Sequence, residues 1–122
     1  MNKFNAKVLE VRGDGGVQEI LLNSDVGQIS CVVVANQKSK INEIGFKKSS
    51  VAVAKNGEFS HSNNIKVKIK DIEKGEVLSK IVGDKDGIKI ESLITTSSAN
   101  RLDLQIGDEV SFLIKASDVF VV

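Results

Sequence analysis

The chain has 122 residues, of which 41% are apolar and 27% charged, a composition typical of a globular protein rather than a disordered one. Seventeen basic and sixteen acidic residues leave a net charge of +1, so no strong positive field is available to attract nucleic acid or an acidic membrane surface. Only 4% of the residues are aromatic, which argues against a single-strand-binding module that stacks bases on rings.

Cysteine usage and hydropathy together predict a cytoplasmic location. Cys31 is the single cysteine, so no intrachain disulfide can form, and its apolar neighbours predict a small buried side chain. The first residues, MNKFNAKVLEV, lack the apolar core of a signal peptide. Because no apolar run approaches the roughly 20 residues of a membrane span, we expect no membrane association.

Short strands dominate the first half. An alternating segment in NKFNAKVLEV is followed by the glycine-rich stretch 12–16, which favours a hairpin, and then by the strand pattern GVQEILL. The β-branched run QISCVVVA is typical of a strand buried on both faces. SSVAVAK predicts a further strand, which ends at the turn signal Asn56-Gly57.

The second half shows the same succession. NNIKVKIKDI alternates apolar and polar residues, EVLSKIV and IKIESLIT flank a turn at residues 84–87, and EVSFLIKA and VFVV complete the strand patterns. Between IKIESLIT and EVSFLIKA, residues 96–102 are expected to form a helical turn or two. Its N-cap candidates are Thr95, Thr96, Ser97 and Ser98.

The two halves read as copies of one pattern, with a boundary near Ser60 that predicts repeats at 1–60 and 61–122. Each copy would hold about five short strands and one helical turn. That inventory predicts an all-β fold made of two OB-like small β-barrels. The aligned pairs include Asn2 with Asn63, Phe4 with Ile65, Val17 with Val77 after a one-residue gap, and Lys55 with Lys115.

One long motif lies in the segment ITTSSANRLDLQIGDEVSFLIKASDVFVV. It contains an Ile-Thr pair, a serine three residues after the threonine, a Leu-x-Leu-x-x-Gly and a final Ile-Lys-Ala-Ser-x-Val. These residue types at these spacings resemble the molybdate-binding Mop domain, also called the TOBE or molbindin domain. The resemblance implies a cytoplasmic store or buffer of molybdate without catalytic activity. It also implies a ring-like homo-oligomer, a trimer for a tandem chain, with oxyanion sites between subunits.

The predicted oxyanion site follows from this motif and from the chemistry of a tetrahedral dianion, which needs N–H, hydroxyl and ammonium donors rather than metal ligands. Lys115, Ala116 and Ser117 form its centre. A small alanine lets the backbone approach the anion closely, while lysine and serine supply charge and a hydroxyl. The further candidates are Thr95, Ser98, Ser62, Asn63 and Lys55.

The first half is expected to be degenerate in its ligands. Ala35 and Lys38 stand where the second half has Thr95 and Ser98, and Lys55-Asn56-Gly57 stands where it has Lys115-Ala116-Ser117. Lys47-Lys48 is interpreted as a solvated loop, and His61 as an exposed junction residue. Bound molybdate or tungstate should therefore be held by the second half.

Three other functions remain open at this stage. The chain could be an oxyanion sensor that docks a transporter or regulator, an OB-type nucleic-acid-binding module, or a carrier of a molybdenum–pterin cofactor. The scarcity of aromatic residues disfavours the nucleic-acid-binding module and the cofactor carrier, since both need rings for stacking. An enzyme is not expected, because the sequence shows no nucleophile–base pair and no metal-ligand spacing. Nothing in these residues distinguishes molybdate from tungstate.

Overall fold

The computed structural model describes residues 1–13, 16–34 and 41–121, which are mostly β-strand. One α-helix, α1 (Thr96–Arg101), and two 3-10 helices (Lys48–Ser50 and Ala116–Asp118) interrupt the strands. The first five strands are β1 (Asn2–Arg12), β2 (Val17–Ser24), β3 (Gly27–Val34), β4 (Glu43–Phe46) and β5 (Ala52–Ala54). The next five are β6 (Asn63–Lys74), β7 (Leu78–Lys85), β8 (Ile88–Thr95), β9 (Glu109–Ile114) and β10 (Phe120–Val121).

Strand β6 shows how the alternating sequence produces the fold. Ile65, Val67 and Ile69 are buried, whereas Lys66 and Lys68 between them are exposed. Because successive side chains of a strand point to opposite faces, one face of β6 enters the core and the other faces solvent. Both halves contribute to one continuous cluster of buried apolar side chains.

The strands form two antiparallel five-stranded sheets with the same internal order. The first is β10-β4-β1-β2-β3 and the second is β5-β9-β6-β7-β8. The edge strands of each sheet also contact each other, β10 with β3 and β5 with β8, so each sheet curls towards a small barrel. The predicted all-β, OB-like architecture is confirmed.

The last strand of each half belongs to the sheet of the other half. Strand β5 pairs with β9, with Ala52 opposite Leu113, and β10 pairs with β4, with Phe120 opposite Gly45. The sheets therefore do not separate at residue 60, although 1–60 and 61–122 stay the prediction for the duplicated sequence. This exchange places the end of each half against the other half.

Pairing registers correct part of the sequence alignment. Arg12 lies opposite Glu19 as Glu73 lies opposite Lys80, so Val17 corresponds to Leu78 and not to Val77. Equivalent bulges interrupt β1 between Val8 and Glu10 and β6 between Ile69 and Asp71, and no gap is needed at the glycine-rich turn. By the same registers Val34, opposite Val17, corresponds to Thr95, opposite Leu78, so the comparison of Ala35 with Thr95 was wrong by one residue. Ala35 and Lys38 themselves lie outside the described residues, as does the expected helical turn of the first half.

Candidate functional site

The predicted centre of the site lies where β9 ends. Ile114 is fully buried, Lys115 is extended (φ −67°, ψ 142°), and the chain then makes the 3-10 helix that begins at Ala116. The Asp118 N–H donates to the Lys115 carbonyl at 2.9 Å. Lys115 and Ser117 are exposed while Ala116 is buried, so a charge and a hydroxyl project to solvent from a tightly packed turn. We call residues 115–118 the second lysine turn.

The first half contains the same turn at residues 47–50, the first lysine turn. Phe46 lies opposite Asn2 as Ile114 lies opposite Asn63. Lys47 is extended (φ −69°, ψ 142°), and the Ser50 N–H donates to its carbonyl at 2.9 Å. Lys47 thus corresponds to Lys115, and Ser49 to Ser117, and both first-half side chains are exposed.

This correspondence corrects the alignment of Lys55-Asn56-Gly57 with Lys115-Ala116-Ser117. Lys55 follows β5, whose structural counterpart is β10, so it lies beyond the lysine turn rather than in it. The sequence comparison slipped because the connection between β3 and β4 is shorter than that between β8 and β9. Lys47 is exposed, as expected from the interpretation of Lys47-Lys48 as a solvated loop, but the registers also give it the position equivalent to Lys115. The spacing of FKKSSV, which matches IKASDV, was the sequence signal for this equivalence.

Lys55 makes contacts of its own. Its ammonium donates to the Asp103 carbonyl at 3.1 Å and lies 3.5 Å from an Asp108 carboxylate oxygen. Together with Lys66, Lys68 and Lys85 it lines an open groove of about 400 Å³, which also contains Asp84, Asp86 and Glu109. Four lysines and three carboxylates leave this groove a net charge of only +1, so it is not the continuous cationic track that a nucleic acid would need. An oxyanion role for Lys55 stays a prediction.

Thr95 and Ser98 lie together at the start of α1. Thr95 is the N-cap, and its hydroxyl oxygen accepts the Ser98 N–H at 3.1 Å. The Ser98 hydroxyl oxygen accepts from the Thr95 hydroxyl at 2.8 Å and from Arg101 at 3.2 Å. These two bonds occupy its lone pairs and leave the Ser98 hydroxyl proton free to be donated to a ligand.

An open cleft of about 510 Å³ joins these hydroxyls to the first lysine turn. Ser49 and Ser50 line one side, Thr95 and Ser98 line another, and Asp118 reaches it from the second lysine turn. The structure therefore groups the predicted pair Thr95 and Ser98 with Ser49 and Ser50, which the sequence analysis did not select. Lys115, Ala116 and Ser117 are not among the residues that line this cleft.

Asn63 is 1% exposed and performs a structural task. Its amide nitrogen donates to the Ser30 carbonyl at 2.9 Å, and its amide oxygen accepts the Ser30 N–H at 2.7 Å. Asn2 holds Glu91 through the equivalent pair of hydrogen bonds, each 2.9 Å long. Each asparagine thus closes an edge of the other sheet, and a ligand role for Asn63 stays a prediction.

The junction before β6 places its two other polar residues differently. Ser62 is exposed and borders a small surface cavity with Arg12 and Glu19 of the first sheet. His61, which was expected to be exposed, is half-buried, and its Nδ1 has no hydrogen-bond partner among the residues that the structure describes. Ser62 remains a predicted ligand whose hydroxyl is accessible.

Lys80 and Arg12 form ion pairs on the two sheets, and neither residue lines the cleft. Lys80 bonds to Glu73 at 2.8 Å and lies 3.3 Å from Glu91. The hydrogen bond to Lys80 lowers the pKa of Glu73, and the bonds to both carboxylates raise the pKa of Lys80. A hydrogen bond to Glu10 raises the pKa of Arg12 in the same way. In residues 1–13, 16–34 and 41–121, no group of His, Cys, Asp and Glu could hold a metal ion.

The burial of Cys31 predicts that the free energy of unfolding depends on pH. Burial raises the pKa of its thiol to about 11 from an ordinary 9.0. The unfolded chain therefore loses this proton at lower pH, so the free energy of unfolding should fall by roughly 2–3 kcal/mol as the pH rises from about 9 to about 11. Urea unfolding of the wild type and Cys31→Ser across this range measures the effect, since lysine titration is common to both. Parallel pH profiles would contradict it.

Comparison with known proteins was made on sequence and on fold. The TOBE domain model matches residues 60–121, which is just over half of the chain. Among solved structures, the fold is similar to that of the cytoplasmic molybdate-binding protein ModG, in a crystal form with molybdate bound. The TM-score is 0.89 at 22% sequence identity, over 98% of this chain and 94% of that one. No curated protein matches the sequence significantly. In the described part of the chain, no helix is long and apolar enough to cross a membrane.

Proposed function

The chain belongs to the TOBE domain family, and on that premise we propose that it binds molybdate or tungstate as a cytoplasmic store that buffers the oxyanion. The observation that carries the proposal is the repeated lysine turn. At the ends of β4 and β9 a lysine in the same extended conformation is followed, two residues later, by an exposed serine. ModG, to which the fold of this chain is similar, was crystallised with molybdate bound.

The donors on these turns suit an anion rather than a metal ion. Lysine ammonium groups, serine and threonine hydroxyls and backbone N–H groups are all donors. Hydrogen bonds to a charged partner are roughly twice as strong as neutral ones, so a few of them suffice to hold a dianion. No catalytic step is proposed, because these groups bind and orient a ligand without breaking its bonds.

Both halves should take part in binding. The first half was expected to be degenerate, but Lys47 and Ser49 stand where the second half has Lys115 and Ser117. The first turn has Lys48 and Ser50 where the second has Ala116 and Asp118, so its own residues include no acidic group, and Asp118 borders its cleft from the second turn. We take the two halves, 1–60 and 61–122, as a tandem of one ancestral repeat.

Oxyanion sites shared between subunits are part of the proposal. One lysine leaves a ligand of charge −2 under-neutralised, and the lysine and serine side chains of each turn are exposed. A neighbouring subunit that adds donors to the open side would complete the cage and exclude water. We propose a homo-oligomer, with a trimer as the predicted state.

Size should govern selectivity. Molybdate and tungstate have nearly equal radii, whereas sulfate is smaller, so donors held at a fixed spacing would fit sulfate poorly. Rigid donors gain this discrimination because they cannot collapse onto the smaller anion.

Titration calorimetry with molybdate, tungstate and sulfate tests the function. We expect micromolar or tighter binding of the first two and weak binding of sulfate. Lys115→Ala, Ser117→Ala, Lys47→Ala and Ser49→Ala should each weaken molybdate binding, the lysine variants by about 10- to 100-fold, the loss of one charge-assisted hydrogen bond. Lys7→Ala, an exposed lysine on β1, is the matched control and should bind like the wild type.

Metal analysis per chain and native mass measurement complete the test. They should give a defined oligomer that retains the anion. Failure to bind molybdate or tungstate at micromolar concentration would refute the proposal, as would an equal loss of affinity in Lys7→Ala.

A further inference from the structure

Each lysine turn is packed on the sheet of the other half. The first 3-10 helix lies against β8 and the second lies against β3. Directly after each helix comes a buried valine, Val51 at 2% exposure and Val119 at 4%. The two turns are therefore anchored across the molecule rather than by their own sheets alone.

A buried side chain donates a hydrogen bond to the carbonyl of each of these valines. The Ser92 hydroxyl donates to the Val51 carbonyl at 2.6 Å, and the Cys31 thiol donates to the Val119 carbonyl at 3.0 Å. Ser92 lies opposite Ile81 on β7, and Cys31 lies opposite Ile20 on β2, so they occupy equivalent positions of the two sheets.

Both donors are fully buried, at 0% exposure. A hydroxyl in such a position costs free energy unless it forms a hydrogen bond. The raised pKa of Cys31 keeps its thiol protonated at neutral pH, so this side chain is also a donor. The two groups thus make one equivalent contact with donors of different strength.

We propose that Ser92 and Cys31 are positioning residues for oxyanion binding and that they act crosswise. Ser92, in the second half, fixes the first lysine turn, and Cys31, in the first half, fixes the second. The inference rests on the proposed function and adds to it a difference between the two turns. An O–H donor at 2.6 Å holds its turn more firmly than an S–H donor at 3.0 Å. The first turn therefore loses less conformational freedom when it binds an anion, and its affinity for the anion is the higher of the two.

The test separates the turns by removing one lysine at a time. Molybdate affinity of the full chain is measured by calorimetry in a Lys115→Ala background, which leaves the first turn intact, and in a Lys47→Ala background, which leaves the second. Ser92→Ala and Cys31→Ala are introduced into each. Ile90→Val and Ile29→Val are the matched controls, since they remove a buried methyl group from the same strands and spare the valine carbonyls.

We expect a crosswise pattern. Ser92→Ala should weaken binding by about 5- to 10-fold in the Lys115→Ala background, the loss of one hydrogen bond, and by less than about 2-fold in the Lys47→Ala background. Cys31→Ala should do the reverse. The valine controls should lower the melting temperature without changing affinity in either background.

Conservative exchanges provide a second readout that does not depend on the alanine variants folding. Ser92→Cys should lower the molybdate affinity of the first turn by less than Ser92→Ala does. Cys31→Ser should leave the molybdate affinity of the second turn at least as high as in the wild type. Equal effects in both backgrounds would overturn the crosswise inference while leaving the proposed function intact. The same holds if affinity falls together with the melting temperature in every variant, Ile90→Val included. A wild type that binds neither molybdate nor tungstate would overturn both.

Discussion

Replacing Asn63 with alanine is expected to lower the free energy of unfolding by about 2–5 kcal/mol, even when no oxyanion is present. The substitution leaves the N–H and the carbonyl of Ser30 without partners in a buried place. Each unsatisfied buried group costs roughly 1–3 kcal/mol, because water cannot replace the lost hydrogen bond. Urea unfolding in anion-free buffer measures the effect.

Asn64→Ala is the matched control for this experiment. Asn64 is the next residue of β6 and is exposed on the opposite face, so its loss should change stability by no more than about 0.5 kcal/mol. Asn2→Ala should behave like Asn63→Ala, since Asn2 holds Glu91 in the same way. If Asn63 served only as a ligand, Asn63→Ala would be as stable as Asn64→Ala without anion and would differ only in binding.

Gly45→Ala is expected to destabilise the protein by about 1–3 kcal/mol, by breaking the fit of the exchanged strand β10. A β-carbon at Gly45 would lie 2.6 Å from two ring carbons of Phe120 and 3.1 Å from the Asn2 carbonyl. Phe120 comes from the opposite end of the chain and lies directly across from Gly45. The ring must move away, and because β10 is only two residues long, its pairing with β4 should weaken as well.

A double-mutant cycle isolates this contact. Phe120→Ala removes the ring. The loss of unfolding free energy caused by Gly45→Ala should therefore be smaller, by about 1 kcal/mol or more, in the Phe120→Ala background than in the wild type. Gly16→Ala is the control glycine, since an added β-carbon there meets no atom of the described residues within 4 Å. Additive effects of Gly45→Ala and Phe120→Ala in urea unfolding would argue that β10 does not occupy this edge in solution.

Local patterns were sufficient where structure depends on neighbours in sequence. The alternation of NNIKVKIKDI predicts the buried and exposed faces of β6 because strand side chains alternate by geometry. Thr95 was among the predicted N-caps, and a capping hydroxyl needs only the N–H three residues later. The turn at Lys115 was likewise placed at the end of a strand, where it lies.

Contacts between distant residues were beyond such reasoning. Strands of three and two residues carry no local signal of which sheet they join, so the exchange of β5 and β10 was not anticipated. The role of Asn63 depends on Ser30, and that of Cys31 on Val119, far away in the chain. Lys47 was interpreted only as a solvated loop residue because connections of unequal length shifted the alignment, although the match of FKKSSV to IKASDV was present in the sequence.

The sequence by itself determined the all-β class, the repeated pattern of short strands and membership of the TOBE family, because each depends on side-chain periodicity or on a motif of adjacent residues. The tertiary structure alone decided which strands complete which sheet and which cleft Thr95 and Ser98 share with Ser49 and Ser50. It also showed the equivalence of the two lysine turns, which the sequence alignment had missed. These features depend on hydrogen bonds and core packing between residues that are far apart in the sequence. Such contacts stabilise the fold only once the two halves have come together, so no local pattern reports them.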